Sequence, residues 1–371
     1  MKIFFSKLDL KQLTQIAQGI TDGKSGEELI DICQGISLSV PNPEFTLIYA
    51  GILLARNHQI HNAIKVLRVC QSSVFGKTLA EYLSETQRFS KPVKTFTNAK
   101  PYNAWMQTNI YQSIRAGVLE AVKNFSKENP PHSVEEPTII DIGPGNGMLT
   151  VEIIKQLQQV YPLRGIHLIL IEPSEEMMAV AIQHCQASLP MPVKITPLCN
   201  CTLQGLTITE QKVLQEHQPI WFINASLSLH HIPTELKRVN LEMLNSLSAS
   251  LLITEIDDNL DELEDGSPEL IYTMSDITNR FIQDVFNTSS ASVLDKKTCI
   301  DSFFLADAVT VLKNIQELRV EHWMSISQWQ EVAQLAGFQP VKTTPIVSSI
   351  PFFTMVLKSQ PASNARFNFN K

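Results

Sequence analysis

Between residues 141 and 147 an acid is followed by glycine at every second position: Asp141, Gly143, Gly145 and Gly147. Glycine takes backbone conformations that a Cβ forbids and lets a ligand approach the main chain. The apolar run before the glycines, residues 138–142, reads as a buried strand, and Leu149 to Leu157 reads as a helix. A strand, a tight glycine turn and a helix N-terminus make a cradle for a nucleoside. Pro144 and Asn146 stand between the glycines and complete the turn. The dinucleotide fingerprint needs its third glycine three residues after the second, but position 148 is Met148. A pyrophosphate would also sit on the helix N-terminus, where the dipole favours negative charge. The Asp141 carboxylate beside that turn suits a cationic ligand better than a dianionic one.

Ligands of open α/β sheets bind at the carboxyl ends of the strands. Glu172 ends the next expected strand, where an acid either accepts both hydroxyls of a ribose or caps the following helix. After the third strand comes Leu198-Cys199-Asn200-Cys201-Thr202, in which Asn200 suits a turn. Cys199 and Cys201 lack a second Cys or His pair nearby, so no metal site is expected. After the fourth strand comes Asn224-Ala225-Ser226-Leu227-Ser228-Leu229-His230-His231-Ile232-Pro233. An imidazole there takes a proton from a nucleophile near neutral pH, or caps the next helix. Adjacent side chains point different ways, so at most one of His230 and His231 is expected to reach an acceptor. After the fifth strand, seven of the eleven residues from Glu255 to Asp265 are acids. They lack the order of a calcium loop and read as a solvated run. Glu255 is the exception: at the strand end it orients a polar acceptor or a histidine. His322, in Glu321-His322-Trp323, either faces an acceptor pocket or belongs to an ordinary segment before a helix.

The elements that must position these residues follow from periodicity. Residues 1–128 read as a helical domain, with helices near 8–20, 27–36, 45–57, 60–71 and 100–124. The 45–57 and 60–71 pair is expected to be antiparallel, and a single such unit makes no repeat array. Glu128 to Pro137, rich in proline, is the linker to a domain spanning 129–371. There strands near 138–142, 166–171, 193–196, 220–224 and 251–255 alternate with helices near 147–160, 174 onward, 209–217 and 234–247. A helix at 327–336 closed by Gly337 and strands near 341–346 and 352–357 follow. This alternation argues an α/β fold with a mostly parallel sheet covered on both faces. Residues 259–320, helical by pattern, read as a cap insertion.

Composition sets the remaining bounds. The 371 residues are 44% hydrophobic and 18% charged, which suits a globular protein with a sizeable core. The net charge is −7, and the basic residues are scattered, so neither nucleic acid nor an anionic membrane is an expected partner. The apolar run near Phe45 to Ala55 is too short to span a bilayer, and the first residues are too short a run for a secretory signal. Six widely spread cysteines suit reduced thiols in the cytoplasm.

The alternating glycines after Asp141 resemble the first motif of class I S-adenosylmethionine-dependent methyltransferases. Many members acting on small molecules carry a stretch similar to Leu229-His230-His231-Ile232 after the fourth strand. The wider pattern resembles the bacterial branch of the GRAS family. Asn224 with Leu227-Ser228-Leu229-His230-His231 is similar to one of its segments. Val320-Glu321-His322-Trp323, Trp329 and Ala336-Gly337-Phe338-Gln339-Pro340 are similar to its carboxyl-terminal block, and Thr108-Asn109-Ile110 to a helix over the donor site. The resemblance implies a Rossmann-like fold of seven mostly parallel strands with a helical N-terminal domain and a helical cap. It implies S-adenosyl-L-methionine as cofactor and S-adenosyl-L-homocysteine as product. Asp141, Gly143, Pro144, Gly145, Asn146, Gly147, Glu172, Asn200, Asn224 and Asn109 become donor contacts, with Asn200 reading the adenine amino group. His230, His231, Glu255 and His322 become the candidates for chemistry on a small-molecule acceptor of secondary metabolism. A homodimer is compatible with the sequence. A non-enzymatic module of the same type that binds an adenosyl ligand is the alternative, and a nicotinamide-dependent oxidoreductase is disfavoured by the glycine spacing.

Overall fold

The computed structural model describes residues 4–90, 99–247, 249–313 and 319–359. The chain begins with seven helices: α1 (Lys7–Thr21), α2 (Gly26–Gln34), α3 (Phe45–Arg56), α4 (Ile60–Leu67), α5 (Val74–Thr86), α6 (Ala99–Met106) and α7 (Asn109–Glu128). Strands and helices then alternate: β1 (Thr138–Ile142), α8 (Met148–Gln158), β2 (Ile166–Glu172), α9 (Glu175–Ser188), β3 (Val193–Cys199), α10 (Ile208–Glu216), β4 (Ile220–Ser226), α11 (Thr234–Asn245) and β5 (Ser250–Ile256). Next come α12 (Pro268–Thr288), α13 (Val293–Cys299), α14 (Leu305–Lys313), α15 (Ile326–Leu335), β6 (Phe338–Ile346) and β7 (Phe352–Ser359). Among the described residues no helix is long and apolar enough to cross a membrane.

The described residues form two compact units. The first comprises 4–90, 100–112, 259–313 and 319–322 and is helical. Its first two helices start with reciprocal caps, Ser6 with Asp9 and Ser25 with Glu28, which satisfy N–H groups that a helix start leaves open. α3 is apolar on nearly every side, so it is buried, packed against α1, α2, α4 and α12. The helices of 259–313 thus belong to the same unit as the N-terminal ones. The expected single helix over 100–124 is two helices. Thr108 interrupts it, and its Oγ1 accepts the Tyr111 N–H at 3.2 Å and so starts α7. The N-terminal part of the first unit ends at Gln112 within α7, whereas the expected boundary lay after 128.

The second unit, 99, 113–258 and 323–359 among the described residues, holds one seven-stranded sheet in the order β3-β2-β1-β4-β5-β7-β6. β1 to β5 are parallel, and β7 runs antiparallel between β5 and β6. Side chains alternate across a strand, so alternate residues share a face. Ile140, Ile142, Ile169, Ile171, Ile223, Ala225, Leu251, Ile253, Phe353 and Met355 build one core with Leu241 and Leu244 of α11 and Trp329 of α15. On the other face the rings of Phe125 in α7 and Phe222 lie 5.0 Å apart. β3 runs past 196 to Cys199 through Pro197, because an edge strand tolerates a residue that donates nothing to the ladder. The other edge, β6, carries Pro340 and Pro345 and a register shift between Pro340 and Lys342.

Candidate functional site

The chain leaves β1 through Gly143 (φ +69°), Pro144, Gly145 (φ +55°), Asn146 and Gly147 (φ +76°) and enters α8. These left-handed angles strain any residue with a Cβ. A Cβ on Gly143 would stand 2.7 Å from Cβ of Ser228, and one on Gly147 would stand 2.7 Å from Cα of Ala181 in α9. The first glycine therefore admits the turn after β4, and the third admits α9. Asn146 is buried: its Oδ1 accepts the Met148 N–H at 3.2 Å, and its carbonyl accepts from His184 Nδ1 at 2.7 Å.

Asp141 is buried inside the protein, with both oxygens engaged. Oδ2 accepts from Thr150 Oγ1 of α8 at 2.5 Å, and Oδ1 accepts from Asn224 Nδ2 of β4 at 2.8 Å. Asn224 Oδ1 in turn accepts from Ser226 Oγ at 2.8 Å. Burial pushes the Asp141 carboxyl up, and its two donors pull it back. The carboxylate fastens three elements around the glycine turn.

Glu172 ends β2, and the Gly145 N–H donates to its Oε2 at 3.3 Å, while the Ser174 N–H donates to Oε1 at 2.9 Å. Burial pushes its carboxyl up to about 6 against these two donors. Asn200 takes a left-handed φ of +58° at the end of β3, and its exposed amide donates to Glu175 Oε1 at 2.7 Å.

After β4, Leu227 also takes a left-handed φ of +55°, which is unusual for a branched side chain. This kink starts a short 3₁₀ turn over Leu229–His231. Glu255, 1% exposed at the end of β5, holds that turn. Its Oε1 accepts the N–H groups of Ser228 (3.2 Å), Leu229 (2.8 Å) and His230 (3.2 Å), and its Oε2 accepts from His230 Nδ1 at 2.6 Å. A donor at Nδ1 puts the neutral imidazole's lone pair on Nε2, the arrangement of an oriented base. The two histidine rings do not diverge: their centroids lie 4.1 Å apart at 56°.

Asn109 and His322 belong to the first unit. The Asn109 N–H donates to Thr288 Oγ1 at 3.3 Å. His322 is buried, with Nδ1 on Asp261 Oδ2 at 2.9 Å and Nε2 on the Arg319 carbonyl at 3.1 Å. Arg319, also buried, pairs with Asp265 and donates to the carbonyls of Leu260 and Leu263. The expected solvated acidic run is thus partly internal, because Asp261 and Asp265 serve a buried arginine and a buried histidine. Asp257, in the second unit, accepts the Ile326 N–H that opens α15 at 2.9 Å.

The second unit therefore brings Asp141, the glycine turn, Asn224, His230, His231 and Glu255 onto connected segments, with Glu172 tied to the turn. Two further residues matter. Thr150 binds Asp141, and Ser228 stands against Gly143 with its Oγ buried and without a partner among the described residues. The signal for Ser228 was its place within the polar stretch before the histidines, but its contact with Gly143 is tertiary.

A crystal structure of SCL7 from Oryza sativa matches over 95% of this chain and 100% of that one, with a TM-score of 0.57 and 12% identity. A loganic acid methyltransferase solved with S-adenosylhomocysteine matches over 73% of this chain and 99% of its own, with a TM-score of 0.44 and 11% identity. Magnesium protoporphyrin IX methyltransferase from Synechocystis PCC 6803, solved with the same product, matches over 71% and 97%, with a TM-score of 0.41 and 15% identity. No protein-family model and no curated protein matches the chain. At these identities the likeness is one of fold. With the strand order and the reversed β7, the second unit has the Rossmann-like class I methyltransferase fold.

The contact between Gly143 and Ser228 makes a prediction. Gly143→Ala adds both a clash and a left-handed Cβ, so it should destabilise the protein by roughly 1–3 kcal/mol. Adding Ser228→Gly should recover the part due to the clash and leave the backbone part. Urea unfolding midpoints of the single and double variants measure both, and a double variant no more stable than Gly143→Ala would show that close approach is not what this glycine serves.

Proposed function

We propose that this chain is an S-adenosylmethionine-dependent methyltransferase acting on a small-molecule acceptor. One observation carries the reading: a left-handed glycine cradle bonded to a buried carboxylate is joined, through the contact of Gly143 with Ser228, to an imidazole oriented by a second carboxylate. The residues fit such a donor. The buried Ser228 hydroxyl has a bond to give beside Gly143, and an unmatched buried hydroxyl costs free energy. Glu172, at the end of β2, takes the ribose hydroxyls. Gly143, Pro144, Gly145, Asn146 and Gly147 form the cradle, and Asp141 with Asn224 keeps its shape. Asn200 stands on the adenine side at the end of β3. Six free thiols suit a reducing compartment such as the cytoplasm.

The donor, when bound, supplies an electrophilic methyl group on a sulfonium that is already a good leaving group. The chain's own task is therefore mostly to hold the acceptor in line, and positioning of this kind is worth roughly 7–11 kcal/mol in favourable cases. For a hydroxyl acceptor, His230 Nε2 takes the proton while Glu255 keeps Nδ1–H in place and stabilises the imidazolium. His231, packed on the same ring, is the second candidate for that role. An amine acceptor needs only its neutral form.

Three measurements test this reading. Gly145→Asp places a carboxylate beside Glu172 and should abolish calorimetric binding of S-adenosylhomocysteine; an unchanged titration would refute the cradle. Wild-type affinity for the same ligand should be flat above the Glu172 value of about 6. Ribose hydroxyls favour the ionised carboxylate, so affinity should fall as protons bind, by up to roughly fivefold from pH 6 to pH 5. Glu172→Gln should flatten that slope, and a slope that survives the substitution would assign the proton to another group. On any acceptor the wild-type chain methylates, replacing His230 and His231 together by Ala should lower turnover roughly 10²–10⁴-fold with little change in affinity for S-adenosylhomocysteine. Equal turnover would remove both from the mechanism.

A further inference from the structure

The turn that carries the two histidines is bound at both ends by buried charge. At its start, Glu255 accepts three successive N–H groups, from Ser228 to His230. At its end, Lys237 of α11, 1% exposed, donates from Nζ to the Ile232 carbonyl at 2.6 Å. The same ammonium lies 5.4 Å from the centre of the Trp329 ring. A short 3₁₀ turn presents N–H groups at its start and carbonyls at its end, so an anion at the first and a cation at the second both favour it. Leu229, His230 and His231 lie between the two charges.

The placement of the cation is costly. A lysine this buried gives up its hydration, a loss that its polar partners must offset. The aromatic face offsets part of that loss. Trp329 sits on α15, whose first N–H, at Ile326, is held by Asp257 Oδ1 two residues beyond Glu255.

We propose that Lys237 is a positioning residue for His230: its ammonium pins the Ile232 carbonyl, which holds the turn so that Nδ1 of His230 stays on Glu255. Its purpose rests on the reading of His230 as the working imidazole, but its geometry does not. A purely structural lysine, by contrast, would affect unfolding and leave the state of the imidazole alone.

The test is nuclear magnetic resonance of the full chain labelled with ¹⁵N-histidine, because it needs no acceptor. In the wild type, His230 should show one tautomer, protonated at Nδ1, with a low-field Nδ1 proton bonded to carboxylate. Glu255→Gln should abolish that low-field signal and mix the tautomers. Lys237→Met, which keeps the length but not the charge, should cause the same mixing while the chain stays folded. A folded Lys237→Met protein with wild-type His230 signals overturns the proposal. Should Lys237→Met fail to fold, Lys237→Gln is read in the same way, and failure of both to fold also overturns it, since Lys237 would then serve the whole unit. Calorimetry with S-adenosylhomocysteine on the same samples reads the donor site separately. Absent binding in the wild type would refute the methyltransferase reading and leave the pinned turn standing, whereas Lys237→Met should bind like the wild type.

Discussion

The carboxylate of Asp141 is the interaction on which the site depends. It stands near the end of β1, where the strand order reverses between the parallel neighbours β2 and β4. One oxygen holds Thr150 of α8 and the other holds Asn224 of β4. A carboxylate out of water is tolerable only when its lone pairs are met, and each donor here comes from a different element. The same three elements border the glycine turn, so satisfying one acid fixes the shape of the cradle. The local price is a carboxyl pushed upward by burial, and the return is a main chain that stays open to a ligand.

Three acids at strand ends show how environment sets role. Asp141 binds two side chains and is structural. Glu255 binds three main-chain N–H groups and an imidazole, so it organises a turn and orients a ring. Glu172 has only two main-chain donors against its burial, and its carboxyl is brought up to about 6, within reach of physiological titration. An incompletely satisfied acid is the one with capacity left for hydroxyl groups. The kink at Leu227 belongs to the same design. It reverses the chain at once after β4 and brings the following N–H groups onto Glu255.

Much of this was legible in the sequence, for reasons that are local. The glycine spacing, the apolar strands and the alternation with helices fix the α/β class, and Ser174 marks a helix start by its own chemistry. What was hidden depended on distant partners. Nothing near Asp141 says that its acceptors will be used by Thr150 and Asn224 rather than by a ligand. The run from Glu255 to Asp265 looks uniformly acidic, and only folding separates Glu255, Asp261 and Asp265 by the cations and N–H groups each meets. Pro197 looks like a strand terminator, but at a sheet edge it is tolerated. α5 was not anticipated, and its start also leans on a distant partner, since the Phe75 N–H donates to Asn279 Oδ1 at 3.0 Å. Lys237 looks like any helix-surface lysine until Trp329 covers it.

The prolines at the two margins of the sheet have a consequence for how copies of this protein can meet. Pro197 on β3 and Pro340 and Pro345 on β6 remove N–H groups from the outer ribbons, and the irregular register of β6 bends its rim further. A neighbouring molecule would find an interrupted template there, unsuited to lengthening the sheet across a molecular boundary. Main-chain pairing of copies edge to edge is therefore disfavoured at both rims.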